Sequence, residues 1–448
     1  MIALLLPLAL LAPPADPFAV DTFRPAVDRI QQAALADETT WLRMQQLCDD
    51  IGHRLSGSKH LERAIEWAKA TLEADGIRVR LQPVKVPRWV RGEESLRLVA
   101  PREEPLPMLG LGWSSGTPKG GLTAEVVVAT DEASFEALGD RVRGRIVLFD
   151  NPMPAYHPAH GPGYGETVRF RVKGAAMVAE KGGVGVLVRS VTARSLRTPH
   201  TGAQASADGV SKIPAAAITT EDADRIHRMV KRGQTVKVHL QMGARLEGEA
   251  LSHNVVAEIP GRERPDEVVV VGGHIDSWDV GQGAHDDAGG VVMAMQTLRT
   301  LRRLGLTPRR TVRAVLFTNE ENGLKGALAY AEAEQKTRHV AAIEADIGAF
   351  APTGYSVEHQ DPQRAGLALV RLHGLRPLFA PFDATRMEAG FSGADVRPLM
   401  PAGALLLGHR TDMARYFDVH HTADDTLDKV DPHQMRQNVA AMATMDWV

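Results

Sequence analysis

The 448-residue sequence has a single cysteine, 5% aromatic residues and a formal net charge of only −3. With Cys48 alone, no disulfide can form within the chain, and a zinc site built from cysteine thiolates is excluded. The weak net charge gives no electrostatic reason to expect nucleic acid or an anionic membrane as a partner. We expect neither partner, and we interpret Cys48, which lies in a helical pattern, as a small core residue.

Long hydrophobic runs are also scarce. One stands at the start of the chain, in MIALLLPLALLAPPADPF. Its apolar part has about a dozen residues, whereas a membrane span needs roughly 20, so residues 1–18 are predicted to be a signal peptide. We therefore expect an exported protein, periplasmic or secreted, with no stable membrane insertion after cleavage. Because no basic residue precedes the run, an uncleaved anchor and a buried N-terminal helix stay open as alternatives.

The remaining sequence has an ordinary globular composition, with 44% hydrophobic and 24% charged residues, and its length fits about two domains. Short strand patterns interleaved with two helical ones fill residues 119–246, which indicates an inserted module. From residue 254 onward, strands and helices alternate. Such alternation predicts an α/β fold with a mixed, mostly parallel central sheet flanked by helices, built from residues 19–118 and 247–448.

Acidic and imidazole side chains follow three of the predicted strands. EVVVVGG leads into His274 and Asp276, TVRAVLFT leads into Glu320 and Glu321, and HVAAIEA leads into Asp346. Ligands of open α/β sheets bind beyond the carboxyl ends of the strands. We therefore expect these side chains to converge at one edge of the sheet.

The densest of these segments is GHIDSWDVGQGAHDDAGG, residues 273–290, which holds two histidines and four aspartates. So many carboxylates repel one another unless a cation or hydrogen-bond donors neutralise them, which favours a metal site over a polar surface loop. His274 and Asp276 lie two residues apart and point to the same side of an extended chain. One can thus bind a metal while the other accepts the spare imidazole N–H.

Two other acidic pairs each allow two interpretations. Asp286 precedes a helical pattern, and it either caps that helix or bridges two metal ions with its two oxygens. Glu320 and Glu321 are adjacent and project in different directions, so one can bind metal while the other acts as a general base. Taken alone, the glutamate pair is more typical of a solvated acidic patch, because such pairs are common on protein surfaces.

The segments GHIDSWDVGQGAHDDAGG, TNEENG, EADIG and HHTADDT occur in this order, and together they resemble the signature blocks of the co-catalytic zinc aminopeptidase family. The resemblance covers nearly the whole chain, and it implies that residues 19–118 and 247–448 form a zinc peptidase domain. Residues 119–246 resemble a protease-associated domain. The resemblance further implies two Zn²⁺ per chain, one held by His274, Asp286 and Asp346 and the other by Asp286, Glu321 and His421.

The same resemblance assigns roles around these ions. Asp286 bridges them, Glu320 is the general base, and Asp276 supports His274. Relatives carry a cis peptide bond after the bridging aspartate, which implies one between Asp286 and Asp287. His285 stands beside the bridge, where its imidazole is expected to face away from the metal.

Candidate substrate contacts come from the last two segments. His420 occupies a place where some relatives have a tyrosine that contacts the scissile carbonyl, so it is a candidate catalytic residue that stabilises the oxyanion, or else a packing histidine. Tyr416 is a weaker candidate for substrate binding. The segment GFSGADVRPL corresponds to a substrate-pocket loop, in which Ser392 and Asp395 are candidates and Asp395 is placed to hold a free amino terminus. A plain polar turn is the alternative there.

The resulting hypothesis is a dizinc metallo-exopeptidase that hydrolyses small peptides by attack of a metal-activated hydroxide, with Glu320 as general base. Whether it acts as an aminopeptidase, a carboxypeptidase or a dipeptidase is left open, and a homodimer is implied only by the resemblance. The alternatives are a glutaminyl-cyclase-like acyltransferase with one zinc and a receptor-like module without catalysis. A serine hydrolase is disfavoured because no GxSxG sequence forms a convincing strand-to-helix elbow.

Overall fold

The computed structural model describes residues 20–205 and 212–448. The predicted signal peptide, residues 1–18, lies outside the described residues. Within the described part of the chain, no helix combines the length and the apolar character that crossing a membrane requires.

Helices and strands alternate along most of the described chain. The helices are α1 Val20–Leu35, α2 Thr39–Gln45, α3 Lys59–Ala74, α4 Glu132–Glu136, α5 Tyr164–Thr167, α6 Arg169–Glu180, α7 Thr220–Lys231, α8 Gly289–Arg303, α9 Lys325–Ala333, α10 Pro362–Leu375, α11 Tyr416–Val419 and α12 Pro432–Trp447. The strands are β1 Arg78–Val90, β2 Glu94–Ala100, β3 Glu104–Leu106, β4 Met108–Gly110, β5 Leu122–Ala129, β6 Ile146–Phe149, β7 Gly185–Arg189, β8 Ala215–Ile218, β9 Lys237–Met242, β10 Arg245–Ile259, β11 Arg264–His274, β12 Arg310–Phe317, β13 Arg338–Glu344, β14 Pro352–Glu358, β15 Arg386–Ala389 and β16 Leu405–Thr411.

The first sheet has the strand order β1-β10-β12-β11-β13-β16-β14-β15. Its centre, β12-β11-β13-β16, is parallel throughout, whereas β1, β10 and β14 join antiparallel neighbours. His274 pairs with Phe317 and Gly272 pairs with Glu344, so β11, β12 and β13 end side by side. The mixed, mostly parallel sheet expected from the sequence is confirmed, and the three polar strand ends lie at one edge of it.

Helix α8 follows the acidic loop at this edge of the first sheet. Its residues from Gly289 to Leu298 are all buried and, apart from Gln296 and Thr297, are apolar or glycine, as expected for a helix segment enclosed on every side. It packs between the first sheet on one side and helices α1 and α12 on the other. The polar loop that precedes α8 is therefore attached to a buried helix segment.

The second sheet has the order β3-β2-β9-β5-β6-β7-β8-β4, with β5 to β8 parallel and helices α6 and α7 packed on them. It includes residues 94–110, which the sequence analysis placed in the first domain. The reason is that β2 pairs antiparallel with β9, and the alternating Leu96 and Leu98 bury against Leu240 in the core of the second sheet. The module inserted into the first sheet therefore begins before residue 119.

The long loop between β11 and α8 contacts the second sheet through Trp278 and Asp279. Trp278 packs in the hydrophobic core of the second sheet with Leu96 and Leu240. Arg91 donates from Nε to Asp279 Oδ2 over 2.9 Å and from Nη1 to the backbone oxygen of Gly110 in β4. That loop thus contacts both sheets, which places the acidic segment at their junction.

Candidate metal centre

The acidic turn before α8 is fixed by hydrogen bonds from its own backbone. Asp287 Oδ2 accepts from the His274 N–H over 3.0 Å, and its Oδ1 accepts from the Gly290 N–H in the first turn of α8 over 2.9 Å. Asp425 accepts from the N–H groups of His285 and Asp286, over 2.8 and 3.1 Å. The Asp286–Asp287 peptide bond is cis, as the resemblance implied. Asp287 and Asp425 thus hold the backbone on both sides of Asp286.

A first set of donor atoms gathers around one oxygen of Asp286. His274 Nε2 lies 3.1 Å from Asp286 Oδ1 and 3.3 Å from Asp346 Oδ1. His274 ends β11, and Asp346 follows the parallel neighbour β13 by two residues, so the sheet itself sets their spacing. These three side chains form one group whose geometry fits a metal ion.

Asp276 supports this set by a different route from the one expected. His274 Nδ1 is 3.0 Å from the backbone oxygen of Asp276 but 3.8 Å from its carboxylate, so the main chain accepts the imidazole N–H. The Asp276 carboxylate instead accepts from the Glu320 N–H over 3.1 Å and from Ser56 Oγ over 3.2 Å. The carboxylate, fully buried, therefore holds the backbone of Glu320.

A second set surrounds the other oxygen of Asp286. His421 Nε2 lies 3.2 Å from Asp286 Oδ2 and 3.1 Å from Glu321 Oε2. His420 stacks on His421 with ring centroids 3.6 Å apart, and its Nε2 is 3.6 Å from Asp286 Oδ2. A group of Asp286, His420 and His421 is thus also close enough to share an ion, but only His421 lies near carboxylates of two residues.

His285 is turned away from both sets. Its Nδ1 accepts from the Ala349 N–H over 3.1 Å, its Nε2 lies 3.2 Å from the Lys429 carbonyl oxygen, and its ring stacks on Phe350. Burial lowers its pKa to about 4. Both ring nitrogens are engaged, so His285 is a packing residue, as the sequence analysis expected.

Buried negative charge dominates the electrostatics of the site. Burial, with Asp286 nearby, raises the pKa of Glu321 to about 7, and burial together with Asp346 and Glu321 raises the pKa of Glu320 well above its usual value. Burial opposes protonation of His421, but Glu321 and Asp286 raise its pKa to about 10. The carboxylates outnumber the imidazoles, so the cluster is short of positive charge, which a cation would supply.

The candidate substrate residues are all buried. Neither Ser392 Oγ nor the two Asp395 oxygens has a hydrogen-bond partner among the described residues. Burial, with Glu344 and Glu320 nearby, raises the pKa of Asp395 well above its usual value. The Tyr416 ring packs beside that of His420, with the ring centroids 5.1 Å apart.

Sequence reasoning missed several residues that position the site. Glu344 accepts from the N–H groups of Ala394 and Val396, over 3.0 and 2.8 Å, and so fixes the loop of Ser392 and Asp395. Arg54 is fully buried and donates to the backbone oxygens of Gly52, Ile275, Gln282 and Gly283.

Only some of these residues carried a signal in the sequence. Glu344 lies inside EADIG and Asp425 inside HHTADDT, so their place in these two segments could have indicated that they belong to the site. Arg54 lies in HRLSGS, outside every segment singled out, and it acts through backbone oxygens that no side-chain pattern reveals.

A mixed α/β sheet that carries histidine and carboxylate donors at the carboxyl ends of its strands defines a class of metal-dependent hydrolases. Residues 254–445 match the sequence profile described as peptidase family M28. The chain belongs to this family and is a metallopeptidase. The family resemblance drawn from the four sequence segments is thereby confirmed.

Within the family, the chain is similar to carboxypeptidase Q. The Mus musculus protein is 41% identical over 91% of this chain and 84% of its own length, and the Homo sapiens protein is 39% identical over 92% and 85%. Among solved structures, a peptidase M28 precursor from Shewanella amazonensis SB2B has a TM-score of 0.89 at 34% identity, covering 96% of this chain and 97% of that one. A zinc aminopeptidase from Bacillus subtilis shares the fold, with a TM-score of 0.66 at 18% identity over 91% of this chain and 93% of that one.

Proposed function

We propose that the protein is a dizinc exopeptidase of small peptides, with His274, Asp286 and Asp346 on one ion and Asp286, Glu321 and His421 on the other. The observation that carries this proposal is the spacing of the donors. In a tetrahedron with zinc bonds of about 2.0–2.1 Å, neighbouring donor atoms are about 3.3 Å apart. The separations of 3.1–3.3 Å around each oxygen of Asp286 fit that edge length in both sets.

When bound, zinc would polarise the peptide carbonyl and lower the pKa of the attacking water. Glu320 is the base that takes the proton of this water and returns it to the leaving amine. The Asp276 carboxylate accepts from the Glu320 N–H, so the position of the Glu320 backbone is set by the protein and does not depend on a bound metal. Glu321, one residue later, faces His421 and is assigned to the metal, so the role of general base falls to Glu320.

Two further side chains are proposed to handle the substrate. Burial, with His421 nearby, lowers the pKa of His420 well below its usual value, so its imidazole stays neutral and donates one N–H to the developing oxyanion. Asp395 has two oxygens without partners, and a buried carboxylate of this kind is stabilised by a cationic group such as the free amino terminus of a peptide. Ser392 and Tyr416 are proposed as further substrate contacts.

A panel of dipeptides with free or blocked termini tests this proposal. Because Asp395 is assigned to the amino terminus, acetylated dipeptides are expected to lose hydrolysis, whereas amidation of the carboxyl end is tolerated. Amino-acid release is measured by chromatography on the zinc-loaded protein. Full hydrolysis of acetylated substrates with loss of amidated ones would contradict the assignment of Asp395 and favour a strict carboxypeptidase.

We also propose the domain division and the export of the protein, both from the sequence patterns described above. The inserted module is taken as a protease-associated type of domain, and residues 1–18 as a cleaved signal that sends the protein to the periplasm or the medium. Amino-terminal sequencing of protein recovered from the periplasm and medium of an expressing bacterium tests export. A start at Met1, or retention in the cytosol, would contradict it.

A further inference from the structure

One residue of the inserted module contacts the second donor set twice. The Thr201 N–H donates to the backbone oxygen of His421 over 3.0 Å, and the Thr201 backbone oxygen lies 3.2 Å from His421 Nδ1. His421 has φ of 62°, in the left-handed region that a histidine adopts only where its surroundings hold it. Thr201 therefore holds the main chain and the ring of His421 together.

The contact with the ring selects one tautomer of His421. Its Nε2 faces Asp286 and Glu321, so the opposite nitrogen, Nδ1, carries the hydrogen and donates it to the Thr201 oxygen. The other polar neighbour of Nδ1 is Arg171 Nη1 at 3.4 Å, which is itself a donor and offers no lone pair. Thr201 is thus the acceptor that orients this imidazole.

The Thr201 loop is in turn fixed to the second sheet. Thr201 Oγ1 donates to the backbone oxygen of Gly110, the last residue of β4, over 2.7 Å, and the Gly112 N–H donates to the Gly202 oxygen over 3.0 Å. Gly202 has φ of 143°, and a Cβ there would lie 2.4 Å from the Arg171 guanidinium carbon. A side chain at position 202 therefore has to displace this loop or the buried arginine.

The histidine of the first donor set is supported from within its own loop. His274 Nδ1 is held by the backbone oxygen of Asp276 in its own loop, within the first sheet. We infer that Thr201 is a positioning residue for His421, so that the inserted module sets the zinc affinity of the Asp286, Glu321 and His421 set and leaves that of the His274 set unchanged. This inference rests on the proposed dizinc function.

Zinc competition against a chromogenic chelator tests the inference on the full chain. Gly202→Ala is expected to keep one tightly bound Zn²⁺ and to weaken the other by about 10–100-fold, the usual cost of losing a group that orients a ligand. Thr201→Val, which removes only the bond to Gly110, is expected to act in the same direction by less, and Thr201→Ser to restore two tight ions. The matched control is Gly233→Ala, in the same module, where φ is 77° and no atom of the part of the chain that the structure describes lies within 4 Å of the added Cβ.

The outcomes separate the inference from the function on which it rests. If the unaltered protein binds only one Zn²⁺, the dizinc proposal is wrong. If it binds two and both variants keep them with unchanged affinity, Thr201 does not position His421. Equal weakening of both ions also overturns the inference, because it indicates general loosening. Thermal melts check folding, and if Gly202→Ala fails to fold, the Thr201→Val and Thr201→Ser pair decides.

Discussion

The two donor sets around Asp286 are built in different ways. The His274 set comes from the ends of β11 and β13, adjacent parallel strands whose register fixes the separation of His274 and Asp346. The His421 set joins Glu321, after β12, to a histidine from a loop roughly 100 residues later, and a residue of the inserted module supports that histidine. The donor positions of the His274 set are thus fixed by the sheet, whereas those of the His421 set depend on loops. We therefore expect substitutions to change the geometry of the His421 set more easily.

The largest expected effect separates Glu320 from Glu321. Glu320→Gln is expected to lower kcat by about 10²–10⁴-fold with zinc content unchanged, because a general base contributes about that factor and Glu320 belongs to neither set. Glu321→Gln, the matched neighbour, is expected to weaken one of two zinc ions. Dipeptide hydrolysis and metal analysis on the same samples measure both changes. Loss of zinc from Glu320→Gln would show that it is a ligand and that the roles are exchanged.

A smaller effect is expected at Asp425, which supports the backbone of Asp286, the residue common to both donor sets. Asp425 accepts from the backbone N–H groups of His285 and Asp286, so Asp425→Asn leaves one of these donors without an acceptor. Because Asp286 belongs to both sets, both zinc affinities are expected to fall together, by about 10–100-fold.

Chelator competition measures this change. Asp424→Asn is the matched control, since among the described residues the Asp424 side chain accepts only from Thr198, at an exposed position. Weakening of one ion alone in Asp425→Asn would mean that Asp425 does not act through Asp286.

The difference between the two sets also explains what the sequence could predict. Strand ends follow from hydrophobic patterns, so the convergence of His274, Glu321 and Asp346 at one sheet edge could be expected. His421 was assigned only by resemblance, because a loop that returns from a distant segment has no periodicity to place it. The backbone contacts of Thr201 and the main-chain support from Asp276 could not be predicted, since every residue has the same amide and carbonyl groups.

The first residue of the inserted module could not be predicted from the sequence either. The sequence analysis placed residues 94–110 in the first domain, because the choice of β2 between β9 and β1 as its partner is decided by long-range packing. Leu96 and Leu98 bury against the second core, and this moves residues 94–110 to the second sheet. Local patterns therefore specify the elements well and their partners poorly.

The smallest effect expected is a pH dependence that distinguishes the metal-free from the zinc-loaded protein. Burial raises the pKa of Glu321 to about 7 and that of Glu344, behind the His274 set, to about 8. Between the ordinary carboxyl pKa and these values the folded chain binds more protons than the unfolded chain, so its stability falls as the pH rises. The raised pKa of His421, about 10, acts in the same direction above pH 6.5. Each group contributes at most about 1.4 kcal/mol per pH unit within its window.

Zinc binds the deprotonated donors, so it is expected to stabilise the protein more at pH 8 than at pH 5. Urea unfolding at pH 5, 6.5 and 8, with excess zinc or with chelator, measures the free energy of unfolding in both states. In Glu321→Gln the metal-free protein should lose part of its slope below pH 7 and keep the part between pH 7 and 8, where Glu344 still titrates. A metal-free protein whose stability is flat or rises over this range would mean that Glu321 and Glu344 are not held buried and protonated in the absence of zinc.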